Sequence, residues 1–135
     1  MILLSELLGH DAVSLRTAAT TGKVKAIRVE RNKISHVELS HTVIPAGSVR
    51  SFDGDVLTYD YDDVEPIEKP ITGDPRKRLL LDCDGNAHGT ITDLTIAADG
   101  TIEFVTTDDD EQILGSRLLA IGPYAAIITT TKMTP

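Results

Sequence analysis

Several residues in this chain are of types that do chemistry, and their spacing decides which of them could converge. Asp82-Cys83-Asp84-Gly85-Asn86 begins like a calcium loop. Such a loop needs glycine at its sixth position for the sharp bend and a bidentate glutamate at its twelfth for the last oxygens. Those positions hold Ala87 and Asp93, so a hairpin turn is expected instead, Asp-Gly-Asn being favoured turn chemistry. The runs Asp60-x-Asp62-Asp63-x-Glu65 and Asp108-Asp109-Asp110-Glu111 are acidic enough to collect divalent cations weakly. Contiguous carboxylates repel one another and seldom close on one ion without carbonyl help. Solvated loops are expected there, with a partner-docking patch as the second reading.

The histidines His10, His36, His41 and His88 are dispersed and lack the helical spacing of a zinc site. Cys83 has no histidine beside it, and its flanking aspartates would raise a thiolate pKa rather than lower it. No serine sits in a Gly-x-Ser-x-Gly elbow, and no glycine-rich phosphate loop is present. No catalytic residue, metal ligand or cofactor site is therefore nominated. The basic cluster Lys23, Lys25, Arg28, Arg31 and Lys33 reads as a solvated strand face. Protein docking by charge complementarity is the second reading and RNA contact the third. Aromatic stacking platforms for single-stranded RNA are read as missing, the five aromatics being Phe52, Tyr59, Tyr61, Phe104 and Tyr124.

The elements that must position these residues belong to a chain of 135 residues, about one ordinary domain or two very small ones. At 41% hydrophobic and 25% charged, its composition is that of a globular protein and argues against a disordered chain. A net charge of −8 disfavours broad phosphate-backbone contact and so argues against nucleic acid as a partner. Cys83 is the sole cysteine, which excludes an internal disulfide. Met1-Ile-Leu-Leu-Ser-Glu-Leu-Leu8 has no positive n-region, and Ser5 and Glu6 interrupt its apolar run. It reads as neither signal peptide nor membrane anchor, and a cytoplasmic location with no membrane span is expected.

Ser5 is placed as the N-cap of one helical turn and Gly9 as its left-handed stop. Thereafter apolar residues alternate at strand spacing: Val24, Ile27 and Val29, then Ile34, Val37 and Leu39. Between them Arg31-Asn32-Lys33 is a tight turn, Asn32 being the residue most able to accept positive φ. Val43-Ile44-Pro45-Ala46 reads as a brief strand that stops at an edge. Val56–Tyr59, Leu79–Leu81, Thr90–Ile96, Thr101–Val105 and Ala125–Thr129 are further strands, and Asp99-Gly100 is a hairpin signal. Asp60 to Pro75, with Pro66, Pro70 and Pro75, reads as a linker or extended crossover.

The halves resemble each other. Gly22 to Val29 lies on Gly89 to Ile96, matching Gly22 with Gly89, Val24 with Ile91, Ile27 with Leu94 and Val29 with Ile96. After a one-residue insertion Ile34 meets Ile102, His36 meets Phe104 and Val37 meets Val105; farther on Val49 meets Leu118 and Leu57 meets Ile128. Each unit is near the lower size limit for its own core, so the copies should pack together or share strands.

Ser5-Glu6-Leu7-Leu8-Gly9, the segment Gly22 to Val29, and Val43-Ile44-Pro45-Ala46-Gly47-Ser48-Val49 together resemble the PRC-barrel family, named after a cytoplasmic domain of the photosynthetic reaction centre. Asp84 to Ile91 resembles the same turn-and-glycine in a second copy. That copy lacks the Ser-Glu-Leu-Leu-Gly head and carries Leu114-Gly115-Ser116 where the proline motif belongs. The resemblance implies an all-β fold of two tandem small barrels with one N-terminal helical turn: residues 1–64, a proline-bearing linker at 65–75, and residues 76–135. It also implies an adaptor rather than an enzyme, since family members dock on membrane-embedded reaction-centre chains or grip a ribosomal protein as half of a ribosome maturation factor.

The expected function is a non-enzymatic module that binds a protein partner, with homodimerisation as one way to satisfy open sheet edges. A ribosome- or RNA-associated factor is the alternative. Leu3, Leu7 and Leu8 are expected to form an incompletely buried apolar docking patch, with Lys23, Lys25 and Arg28 as its charged counterpart.

Overall fold

The computed structural model describes residues 1–40, 42–60, 65–66 and 74–130. Strand makes up 54% of it and helix 9%, so the protein is all-β, built from curled sheets. The apolar start forms β1 (Ile2–Leu3) and one helical turn, α1 (Leu4–Leu7). There follow β2 (Asp11–Ser14), β3 (Thr20–Lys23), β4 (Ala26–Glu30), β5 (Lys33–Glu38) and β6 (Thr42–Pro45). A 3₁₀ turn at Ala46–Ser48 leads to β7 (Val49–Ser51) and β8 (Leu57–Tyr59), and β9 (Glu65–Pro66) is a short addition. The second half holds β10 (Leu79–Asp82), β11 (Ala87–Ile96), β12 (Ile102–Thr107) and β13 (Gln112–Leu114). It ends with a 3₁₀ turn at Gly115–Arg117, β14 (Leu118–Ile121) and β15 (Ala125–Ile128).

One pairing scheme serves both halves. β2 pairs antiparallel with β3 and parallel with β8, which pairs antiparallel with β7. β10 pairs in the same way with β11 and β15, and β15 with β14. The meander β4–β5–β6 is answered by β11–β12–β13. Registers agree residue by residue: Ile27 faces Val37 as Leu94 faces Val105, and Val29 faces Ile34 as Ile96 faces Ile102. The match of Leu57 with Ile128 is corrected by two residues. Tyr59 stands opposite Ser14 as Ile128 stands opposite Asp82, so Leu57 corresponds to Ala126.

Positive φ recurs at matching places: Gly9 and Lys77, Ala18 and Gly85, Gly22 and Gly89, and in the hairpin turns Arg31 and Gly100. Gly9 donates to the Val24 carbonyl as Lys77 donates to that of Ile91.

A single hydrophobic cluster draws on both halves, with Leu4, Leu7, Ile27, Leu57, Leu80, Ile91, Leu94 and Val105 fully enclosed. Burying each such side chain stabilises by roughly 1.5–3 kcal/mol. The halves also share backbone bonds. β1 pairs with β11, Ile2 opposite Ile96. The β4–β5 turn is joined to the β11–β12 turn by Ile34 N–H to Gly100 O (3.0 Å) and Ile102 N–H to Asn32 O (2.7 Å). Phe52 N–H donates to Ala98 O at 3.1 Å, and its ring lies so close to Gly100 that a Cβ there would stand 2.8 Å from it.

Local expectations need four corrections. Ser5 does not cap α1, whose N-cap is Leu3 with no side-chain bond. Instead its backbone N–H (3.1 Å) and its hydroxyl both donate to Asp93 on β11. The positive φ in the β4–β5 turn belongs to Arg31 rather than Asn32. The first-half counterpart of β11 is broken into β3 and β4 at Val24-Lys25. The start of β6 is no edge, because Pro66 and Glu65 of β9 pair with Thr42 and Val43. Most of the expected linker, residues 67–73, lies outside the described residues, as do His41 and Tyr61.

Candidate functional site

The residues nominated for docking do not gather in one place. Leu7 is fully buried, which removes it from any docking surface, since contact with β11 and its own half covers it. Leu8 is half-buried against the core, and only Leu3, 38% exposed, faces out. Lys23 pairs with Asp11 at 3.2 Å. Arg28 Nε bonds Glu38 Oε1 at 3.1 Å, and Glu38 is buried, so this guanidinium compensates an enclosed carboxylate. Such compensation matters because an unpaired buried charge costs several kcal/mol, of the order of 3–5. Lys25 is exposed at the break between β3 and β4.

A concavity forms instead beside the β4–β5 turn, an open groove of about 800 Å³ lined by residues of the first half and by Asp99 of the second. Its polar rim is Glu30, Arg31, Lys33, Arg50 and Asp99, and Ile34, Ala46 and Val49 supply apolar surface. Three local features shape it. The β4–β5 turn is tight enough to hold Arg31 at φ +55°, which puts its side chain type in a region ordinary residues rarely adopt. Pro45 has no N–H with which to extend a ladder, so the chain leaves β6 into a 3₁₀ turn, pinned by Ser48 Oγ donating to Pro45 O at 2.7 Å. In β7 Arg50 is exposed between half-buried Val49 and Ser51, the alternation of a half-covered strand.

Asp99 arrives from the other half through the bonded turns. Its carboxyl is held below the ordinary value by the Thr101 N–H, 2.9 Å away, and the Thr101 hydroxyl, with the charge of Lys33 adding to them. Among the described residues Arg31, Lys33 and Arg50 are in no ion pair within 4 Å, so the groove rim presents three cations against the two carboxylates of Glu30 and Asp99.

Two other polar clusters satisfy themselves. Asp82 accepts from His88 Nε2 (2.9 Å) and from the N–H groups of Asp84 (2.9 Å) and Asn86 (3.0 Å). These bonds, that of His88 first, lower its pKa to about 2. In the first half Ser14 takes the place of Asp82, and a bond of 2.6 Å between Thr21 and the Tyr59 hydroxyl lies nearby. The Asp82 oxygens are thus spent on the turn rather than turned toward an ion. Cys83 Sγ donates to the Ile128 carbonyl at 3.5 Å. A smaller depression of about 470 Å³ is lined by Asp74, Arg76 and Thr90, where Asp74 and Arg76 neutralise each other at 2.7 Å.

Among the described residues no three His, Cys, Asp or Glu side chains converge to hold a metal, and no helix is long and apolar enough to cross a membrane. Arg31 and Lys33 were legible as part of a basic cluster. Arg50 and Asp99 were not: Arg50 is brought to the cluster by the packing of the 3₁₀ turn on β5 within the first half, and Asp99 by the bonded turns of the two halves. Comparison with protein families finds no matching family model, and comparison with curated proteins finds no match.

Proposed function

We propose that this chain is a non-catalytic, PRC-barrel-like docking protein of the cytoplasm that takes an acidic segment of a partner protein into the groove beside its β4–β5 turn. The groove carries the reading: Arg31, Lys33 and Arg50 are exposed and, among the described residues, in no ion pair, on a chain whose net charge is −8. Carboxylates entering it gain charge-assisted hydrogen bonds, and Arg offers two donors in a fixed plane. An open trough with an apolar floor suits an extended peptide better than a small substrate, which needs enclosure. The shared pairing scheme of the halves supports the PRC-barrel resemblance. The groove itself gives the RNA reading no stacking surface, since Phe52 and Tyr59 lie in the core and the exposed Tyr124 is not among its lining residues.

The test is fluorescence anisotropy with a labelled oligoglutamate peptide and a labelled oligouridylate. The protein binds the peptide, more weakly as salt rises. Changing Arg31, Lys33 and Arg50 together to Glu lowers affinity by about tenfold or more, from roughly 0.2–1 kcal/mol per exposed pair. Changing Lys23 and Lys25 to Glu leaves it within about twofold. Preference for the oligouridylate establishes the RNA reading instead, and equal loss in both variants removes the groove from the argument.

A further inference from the structure

β6 and β13 are the same strand in the two halves: His36 faces Pro45 as Phe104 faces Leu114, and Val37 faces Ile44 as Val105 faces Ile113. Their inner edges are alike and their outer edges are not. In the first half β9 covers the outer edge, with Val43 opposite Glu65 and Thr42 opposite Pro66. Gln112 and Glu111 hold the matching positions in the second half, and among the described residues no strand pairs with the outer edge of β13.

The phase of the ladder shows what that edge offers. Thr107 N–H donates to Glu111 O at 3.0 Å, so by antiparallel alternation Val105 and Ile113 exchange the next bonds. The N–H and C=O groups of Gln112 and Leu114 therefore point away from β12. Ile113 is buried, while Gln112 and Leu114 are exposed, Leu114 by 48%.

We propose that the outer edge of β13 takes up an extended, basic segment of a partner polypeptide as an added antiparallel strand, in the way that β6 takes up Glu65 and Pro66. Its location is distinct from the groove, and it does not depend on how that groove is used. Charge fixes the chemistry of the occupant. Asp109, Asp110 and Glu111 are exposed immediately before the edge, and an antiparallel strand brings its C-terminal residues to that end. An incoming strand with Lys or Arg there meets opposite charge, and one with Asp or Glu is repelled. One further difference lengthens the site: Pro45 has no donor, whereas its counterpart Leu114 keeps its N–H.

The correspondence with Pro45 also supplies the test. Leu114 has φ −57°, a value proline adopts, so Leu114→Pro removes the outward donor and leaves the inner ladder bonds in place. The probes are two labelled peptides, one alternating Val with Lys and one alternating Val with Glu. The Val–Lys peptide binds the intact protein and slows amide exchange at Gln112 and Leu114, whereas the Val–Glu peptide, which the groove takes, leaves exchange at those two residues unchanged. Leu114→Pro, checked for an unchanged far-ultraviolet spectrum, weakens binding about five- to tenfold, the worth of a hydrogen bond. Asp109→Lys with Glu111→Lys reverses which peptide slows exchange at Gln112 and Leu114.

Undiminished binding by Leu114→Pro overturns strand addition, and so does the absence of binding to either peptide. An unchanged preference in the reversed variant overturns the basic partner. Concentration-dependent dimerisation that Leu114→Pro abolishes assigns the edge to a second copy and overturns the proposal as well.

Discussion

The claim that the halves share one backbone makes its sharpest prediction at Lys77. This residue has φ +72°, in the place that Gly9 occupies at φ +95° in the first half, and each N–H donates to the matching carbonyl, Ile91 or Val24. An ordinary side chain in the left-handed region costs roughly 1–2 kcal/mol. Glycine avoids that cost but brings an unfolded state richer by roughly 0.5–1 kcal/mol of entropy. The Lys77 side chain is exposed and in no ion pair among the described residues, so little else is lost on removing it.

Lys77→Gly is therefore expected to stabilise the protein by about 0.5–1 kcal/mol, raising the thermal midpoint by about 2–4 °C. The reciprocal change Gly9→Lys is expected to destabilise it by about 1 kcal/mol for conformational reasons alone, because a Cβ at Gly9 meets nothing within 4 Å. Urea unfolding followed by circular dichroism measures both changes, with an unchanged m-value showing that the same surface is exposed. A Lys77→Gly variant less stable than the parent, or a neutral Gly9→Lys, would refute the equivalence of the two positions.

Two further predictions follow from packing and charge. A Cβ on Gly115 would collide with the Ile102 carbonyl oxygen and lie 2.6 Å from its carbon, so Gly115→Ala must displace β12. It is expected to cost about 3 kcal/mol in urea unfolding, whereas Gly47→Ala, where a Cβ meets open space, changes stability by less than about 0.5 kcal/mol. Asp82, lowered from 3.8 to about 2, contributes stability that is complete above its unfolded pKa and is lost as pH falls through the folded one. Stability should thus drop between about pH 4 and 2, and His88→Ala, which removes the largest cause, should make that drop shallower in acid titrations of unfolding.

Much of the strand pattern was legible because alternation is a local property. Ile27, Ile34, Val37 and Ile91 are all buried, although the odd spacing of Ile34 and Val37 is absorbed by the register shift opposite Arg28 and Val29, and Asp99-Gly100 turns where it should. The N-terminal segment misled for the opposite reason. A four-residue helix buries little by itself, so Leu7 read as a residue left for a partner. It is covered because β1 and α1 cross to β11 of the other half, a contact about ninety positions away that no local pattern reports. Arg28 was misread likewise, since its neighbour Glu38 lies across a strand pair rather than beside it. The second-half counterpart of the helical head stayed invisible because its backbone is kept while its residues are not. Pro75 and Arg78 repeat the bond between Leu7 and His10, and Lys77 stands in for Gly9.

That pattern of retention and change points to where function is to be sought. Where the halves agree, in the parallel β2–β8 and β10–β15 pairs and in the turns of positive φ, the agreement is a requirement of folding and says nothing of a partner. Arg50 and Leu119 follow the matched residues Val49 and Leu118 at the starts of β7 and β14, and Arg50 lines the groove. Pro45 ends pairing on β6, while Leu114 leaves a donor exposed on β13. Neither difference is needed to enclose the core, since Arg50 and Leu114 are both exposed. A surface that diverges where the backbone beneath it is preserved has been released from a folding constraint. The groove and the β13 edge are two such places, one facing outward with positive charge and the other flanked by negative charge. On the two proposals above, the segments taken up carry opposite charge, and neither site depends on the other.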